Sequence, residues 1–91
     1  MHKAASEGHT DVVELLVESG ATIDAADKDG STPLLLAVWY GKVEVARYLL
    51  SKGANIKAKD KRGDGVREQL KGIKDFRQKD DMEELLDSYE K

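Results

Sequence analysis

The stretch DKDGSTPLLLAVWYGKVEVARYLLSKGANIKAKDKRG, residues 27–63, decides the fold. Thr32-Pro33 reads as a helix start: the Thr side chain can accept a first-turn N–H, and Pro suits the first turn, where its missing donor costs nothing. Leu34 to Tyr40 then makes a short helix, stopped by Gly41. Val43 to Lys52 makes a second helix, stopped by Gly53, and its Val45, Ala46, Leu49 and Leu50 fall on one stripe. Small Ala37 lets the two helices approach closely. Ala54 to Gly63 is extended and polar, with Asp60 and Gly63 placed for a tight turn. The unit is helix, turn, helix, then a projecting loop. Helices this short cannot bury an apolar stripe alone, so units must stack.

A second copy of the unit precedes the first. With residues 1–33 set against 34–66, eleven positions are identical: Ala4/Ala37, Gly8/Gly41, Val12/Val45, Leu16/Leu49, Gly20/Gly53, Ala21/Ala54, Ile23/Ile56, Ala25/Ala58, Asp27/Asp60, Lys28/Lys61 and Gly30/Gly63. Ordinary residue usage gives about two by chance, so the repeat is real.

Residues 27–63, with their TPL signature and 33-residue period, resemble an ankyrin repeat. HKAASEGHTDVVELLVESGATIDAADKDG, residues 2–30, resembles the same family, with His2 where the family's TPLH histidine falls. The resemblance implies an all-α fold, a solenoid of stacked helix-turn-helix units with projecting β-turn loops. It implies one domain over residues 1–91, divided into a partial repeat (1–26), a full repeat (27–59) and a divergent C-terminal capping repeat (60–91). Two departures stand out. Leu35 occupies the histidine position of the second unit, so the usual bond to the turn is lost there. The first unit begins inside its first helix, as a piece of a longer array would, or a half-capped natural one. A bare apolar end favours dimerisation or an upstream repeat.

After Gly63 the pattern degrades, with Val66 where Pro33 stood. Helical spacing continues through Val66, Leu70, Ile73 and then Phe76 or Arg77. Asp80 followed by Glu83 resembles a capping box, and Met82, Leu85, Leu86 and Tyr89 form a second stripe. Residues 65–91 therefore read as a third helix pair that caps the stack, the alternative being a helix that docks elsewhere.

Composition narrows the function. The chain of 91 residues has no cysteine, which excludes disulfides and thiolate metal sites and fits a cytoplasmic protein, with the nucleus as the alternative. No apolar run approaches a membrane span. A net charge of −3 disfavours nucleic acid. The charge is uneven: residues 54–79 carry nine Lys/Arg against four Asp/Glu, and residues 80–91 six acids against Lys91. The two segments read as helix faces that attract each other, or as a basic patch for an acidic partner.

No constellation for chemistry emerges. Asp24, Asp27, Asp29 and Gly30 suggest a calcium loop, but with Gly30 at the sixth position Ala25 and Leu36 fall where acidic ligands belong. His2 and His9 have no third ligand for zinc. The serines lack a base with an orienting acid. No cofactor and no enzymatic activity are expected.

What remains is recognition. In ankyrin-like proteins the concave face and loop tips meet the partner, and the resemblance carries the variable positions onto Lys28, Asp29, Ser31, Trp39, Tyr40 and Lys52 in the second unit. In the first they fall on Ser6 and Glu7, and on the third loop on Lys61, Arg62 and Asp64. Trp39-Tyr40 is the informative pair, since exposed aromatics often anchor interfaces; the competing reading has Trp39 packed along the neighbouring helix. The expected function is a non-catalytic module that binds a protein or peptide, with no small-molecule substrate and no membrane. The alternative is a structural segment of a longer array that self-associates through its open N-terminal repeat.

Overall fold

The computed structural model describes residues 1–90 and is all-helical across them. Six helices follow in order: α1 (His2–Glu7), α2 (Thr10–Glu18), α3 (Pro33–Trp39), α4 (Val43–Ser51), α5 (Val66–Gln69) and α6 (Phe76–Tyr89), with a 3-10 turn at Leu70–Gly72 after α5. The helix signals act where the sequence places them. Thr32 Oγ1 accepts the N–H of Leu35 at 3.2 Å, and Pro33 opens α3. Gly8 and Gly41 end α1 and α3 with φ of 79° and 71°, a conformation that costs glycine nothing.

Stacking follows the repeat. α1 packs on α3, α2 on α4, α3 on α5 and α4 on α6, so three helix pairs lie side by side. One continuous core results: Ala5 and Val13 from the first pair, Leu34, Leu35, Ala37, Val38, Val45, Ala46, Leu49 and Leu50 from the second, and Val66, Leu70, Ile73, Met82, Leu85 and Leu86 from the third. The middle pair is covered on both sides and is the most buried. Each fully buried Leu there stabilises by roughly 1.5–3 kcal/mol.

The projecting loops are built alike. Asp27 Oδ1 accepts the N–H groups of Asp29 and Ser31, both at 2.9 Å. Thirty-three positions on, Asp60 Oδ1 accepts those of Arg62 (2.9 Å) and Asp64 (3.0 Å). The loops also bond to each other: Lys61 N–H donates to the Asp29 carbonyl at 3.1 Å, and Asn55 N–H to Asp24 Oδ1 at 3.0 Å. Gly30 permits this approach, because a Cβ there would lie 2.7 Å from the Lys61 nitrogen.

Two expectations for the C-terminal segment are corrected. The stripe beginning at Val66 does not continue as one helix to Arg77; it stops after the 3-10 turn, and Ile73 is extended. At the break the Gly72 backbone lies against Trp39, where a Cβ would come within 2.5 Å of the ring. The last helix is capped by Asp75, whose carboxylate accepts from Arg77 N–H at 2.8 Å, and not by Asp80, which lies inside α6. Arg67 of α5 ties the third pair together, paired with Asp87 of α6 and with Glu90 at its C-terminal cap.

Among the described residues no helix packs on the outer side of the first pair. Val12 is 42% and Leu15 64% exposed, whereas Val45, the match of Val12, is 1% exposed.

Candidate functional site: a groove between loop tips and helix ends

A groove of about 400 Å³ opens between the two projecting loops, those turned by Asp27 and Asp60. Its walls are Asp29 and Ser31 from one loop, Asp60, Lys61 and Arg62 from the next, and Leu36, Trp39 and Tyr40 from α3, with Gln69 of α5 beside them. α3 sets the aromatic wall. Its Leu34, Leu35, Ala37 and Val38 are buried, so the remaining face carries Leu36 and the helix end to the concave side. Tyr40 is 52% exposed. Trp39 is half-buried: part of its ring rests on Gly72 and part lines the groove, so it both packs and is presented.

The expected recognition residues divide by location. Asp29, Ser31, Trp39, Tyr40, Lys61 and Arg62 come together in the groove. Lys28 is exposed on the loop beside them. Asp64 lies under Arg62, carboxylate to guanidinium 3.9 Å. Ser6 and Glu7 are a repeat away on α1, where Ser6 donates to the Lys3 carbonyl (2.9 Å) and Glu7 faces His9 (3.4 Å). Lys52 stands apart as well, at the end of α4, with its ammonium 5.8 Å from the Tyr48 ring centre. His2 reaches the Ala25 carbonyl at 2.7 Å, the bond to the loop that buried Leu35 cannot make in the next unit.

Leu36, Asp60 and Gln69 were not among the expected groove residues. Their signal was the repeat itself: Gln69 lies 33 positions after Leu36, so one groove position is apolar in the second unit and polar in the third. Gln69 uses that polarity on Asp60, donating from Nε2 to Oδ2 at 3.2 Å.

Asp60 is the electrostatic centre of the groove floor. Its carboxylate is held below the usual range, first by the Asp64 N–H and then by the Arg62 N–H, the Gln69 amide and the Arg62 guanidinium, while burial opposes them. A carboxyl depressed by folding stabilises the fold above its ordinary value, about 4, and that contribution vanishes as pH falls through the lower folded value. Acid denaturation monitored by circular dichroism is therefore expected to show a steeper loss below pH about 4 for the wild type than for Asp60→Asn. Parallel acid limbs would contradict this role. Glu68, held low chiefly by the Gly65 N–H it accepts at 2.7 Å, keeps a residual slope in both.

Among the described residues no helix is long and apolar enough to cross a membrane, and no group of three or more His, Cys, Asp or Glu is arranged to hold a metal ion.

A family model described as ankyrin repeats (3 copies) matches residues 1–60. The chain belongs to the ankyrin-repeat family. Protein phosphatase 1 regulatory subunit 12A of Mus musculus is 43% identical to it over 47 residues, 52% of this chain and 5% of that protein. An ankyrin repeat domain-containing protein, oryK of Aspergillus oryzae, is 43% identical over 48 residues, 53% of this chain and 8% of that protein. The ankyrin repeat-containing protein P1E11.10 of Schizosaccharomyces pombe is 44% identical over 46 residues, 50% of this chain and 21% of that protein. The chain thus spans only a small part of the length of each of these relatives. Ankyrin repeats are in general non-catalytic modules for interaction between proteins.

Proposed function

We propose that this ankyrin domain binds a protein or peptide partner in the groove at Trp39 and Tyr40, and that it acts by binding rather than by catalysis. The observation that carries the reading is the convergence of two aromatics, two cations and two polar loop residues on one concave surface. Tyr40 offers a large apolar area at low entropic cost, and half-buried Trp39 is held against Gly72, so little ordering is needed on binding. Lys28, Lys61 and Arg62 supply the rim. Lys52, Ser6 and Glu7 lie outside the groove and contribute at most at a distance.

Trp39→Ala is expected to weaken binding by about 2 kcal/mol, roughly thirty-fold in Kd. The test is titration calorimetry with the captured partner, alongside circular dichroism of the variant. Unchanged affinity overturns the anchor role.

The exposed Val12 and Leu15 favour a second reading, self-association through the outer face of the first repeat. Sedimentation of the same samples separates the two. A mass that rises with concentration, returns to monomer in Leu15→Lys and ignores Trp39→Ala supports self-association.

A further inference from the structure

The second helices of the three units are not alike. α2 and α4 are nine residues long and α6 fourteen. The first buried residue is the fourth in α2 (Val13), the third in α4 (Val45) and the seventh in α6 (Met82). α6 therefore starts about one turn early, with Phe76–Lys79, and that turn puts no side chain into the core. Phe76 is instead 85% exposed, the most exposed of the large apolar side chains among the described residues.

Cations surround it. Lys71 and Lys74 precede it, Arg77 follows, and Lys79 lies three residues on, on the same side of the helix. None of the four has a salt-bridge partner among the described residues. Of the neighbouring acids, Asp75 caps α6, Glu68 feels the field of Lys71, and Asp80 follows Lys79, so the segment Lys71–Lys79 carries four cations against one carboxylate. The turn also adjoins the groove. Gly72 lies on Trp39, and the position a Cβ would take at Gly41, next to Tyr40, is 3.6 Å from Ile73 and 2.8 Å from the Gln78 amide oxygen. Gly72 and Gln78, which flank the turn in sequence, thus lie against Trp39 and Gly41 at the end of α3.

We propose that this turn extends the groove and sets the chemistry of its partner: a peptide segment carrying two or more carboxylates beside an aromatic or aliphatic side chain. The inference rests on the groove reading, since it lengthens the same surface. Phe76 would cover the apolar side chain, and Lys71, Lys74 and Arg77 the acids. A short acidic segment fits better than a continuous polyanion. The cations end at Lys79, and Asp80, Asp81, Glu83 and Glu84 follow at once, within the screening distance of about 8 Å. A short segment can confine its carboxylates to the Lys71–Lys79 side, whereas an extended nucleic acid or an anionic bilayer cannot avoid the acids.

The test is to pan a random peptide library on the intact chain. Enriched peptides are then measured by fluorescence anisotropy against the wild type, Phe76→Ser, Lys74→Glu/Arg77→Glu and Trp39→Ala. All the turn substitutions are at exposed positions, and circular dichroism checks that the fold survives. The expected result is a preference for Asp and Glu beside an apolar residue. Affinity should fall about tenfold in both turn variants, and should weaken as NaCl rises from about 50 to about 300 mM. Neutral or basic consensus peptides overturn the proposal. So do turn variants that bind like the wild type; if those peptides still lose affinity in Trp39→Ala, the groove reading survives without the extension. Peptides sensitive to the turn but not to Trp39 overturn the continuous surface and the groove reading with it. Binding of single-stranded DNA or phosphatidylserine vesicles, abolished in the turn variants while no peptide is enriched, also overturns it.

Discussion

Leu49→Ala is expected to remove 2–5 kcal/mol of stability, on the order of half of what a domain this small possesses. Leu49 is fully buried in α4, at the centre of the middle helix pair, where the first and third pairs press from both sides. Truncation there leaves a cavity that neither neighbour can close without shifting its own helices. Leu15→Ala is the matched control: the same atoms are deleted from a side chain 64% exposed on the outer face of α2, and the loss should be within about 0.5 kcal/mol. Urea denaturation followed by circular dichroism measures both. Equal losses would mean that the first pair's outer face is covered as the middle one is. An unchanged midpoint for Leu49→Ala would mean that the repeats do not stack through this stripe.

Gly72→Ala carries the second large effect, on stability and groove together. The added methyl would come within 2.5 Å of the Trp39 ring and 2.6 Å of its carbonyl oxygen, and one of those neighbours is backbone, which cannot swing aside. Overpacking of this kind costs about 1–3 kcal/mol. Because Trp39 is displaced, its fluorescence maximum should move and partner affinity should fall, even in the folded fraction. Gly53→Ala is a useful contrast. It also has a positive φ, 90°, but no heavy atom within 4 Å, so it should lose stability through backbone strain while leaving Trp39 fluorescence alone. A Gly72→Ala protein with native stability and emission would contradict the contact.

The middle unit was legible because its signals are local and redundant. Thr32, Pro33, Gly41 and Gly53 act within a few residues of themselves, and the matched residues of the first unit repeat the message. The third unit was legible in outline and misread in detail for the opposite reason. The spacing of Val66, Leu70 and Ile73 allows a helix that runs on. The chain instead turns at Gly72, whose backbone is pressed on Trp39, a contact 33 residues away in sequence. Likewise Asp80-x-x-Glu83 and Asp75-x-x-Gln78 are both plausible caps locally, and the stripe of Met82, Leu85 and Leu86 is compatible with either start; Asp75 is the one that caps α6. At the groove, the repeat placed loop tips and aromatics on one side, because equivalent positions in a stack share a face. It could not separate Lys52, beside Tyr48 at the end of α4, from Lys61 and Arg62, exposed on the Asp60 turn at the groove. Nor could it reveal that Gln69 serves Asp60, since that pairing exists only once the third pair has docked.

The most direct test of the central claim is to map a bound partner onto the chain by amide chemical-shift perturbation, with the Trp39 indole N–H as an internal reporter. The groove account predicts that the largest shifts fall on Asp29, Ser31, Trp39, Tyr40, Lys61 and Arg62, and that they saturate together. Shifts confined to Val12, Leu15 and their neighbours on α2, or to the acidic half of α6, with the Trp39 indole unmoved, would contradict it.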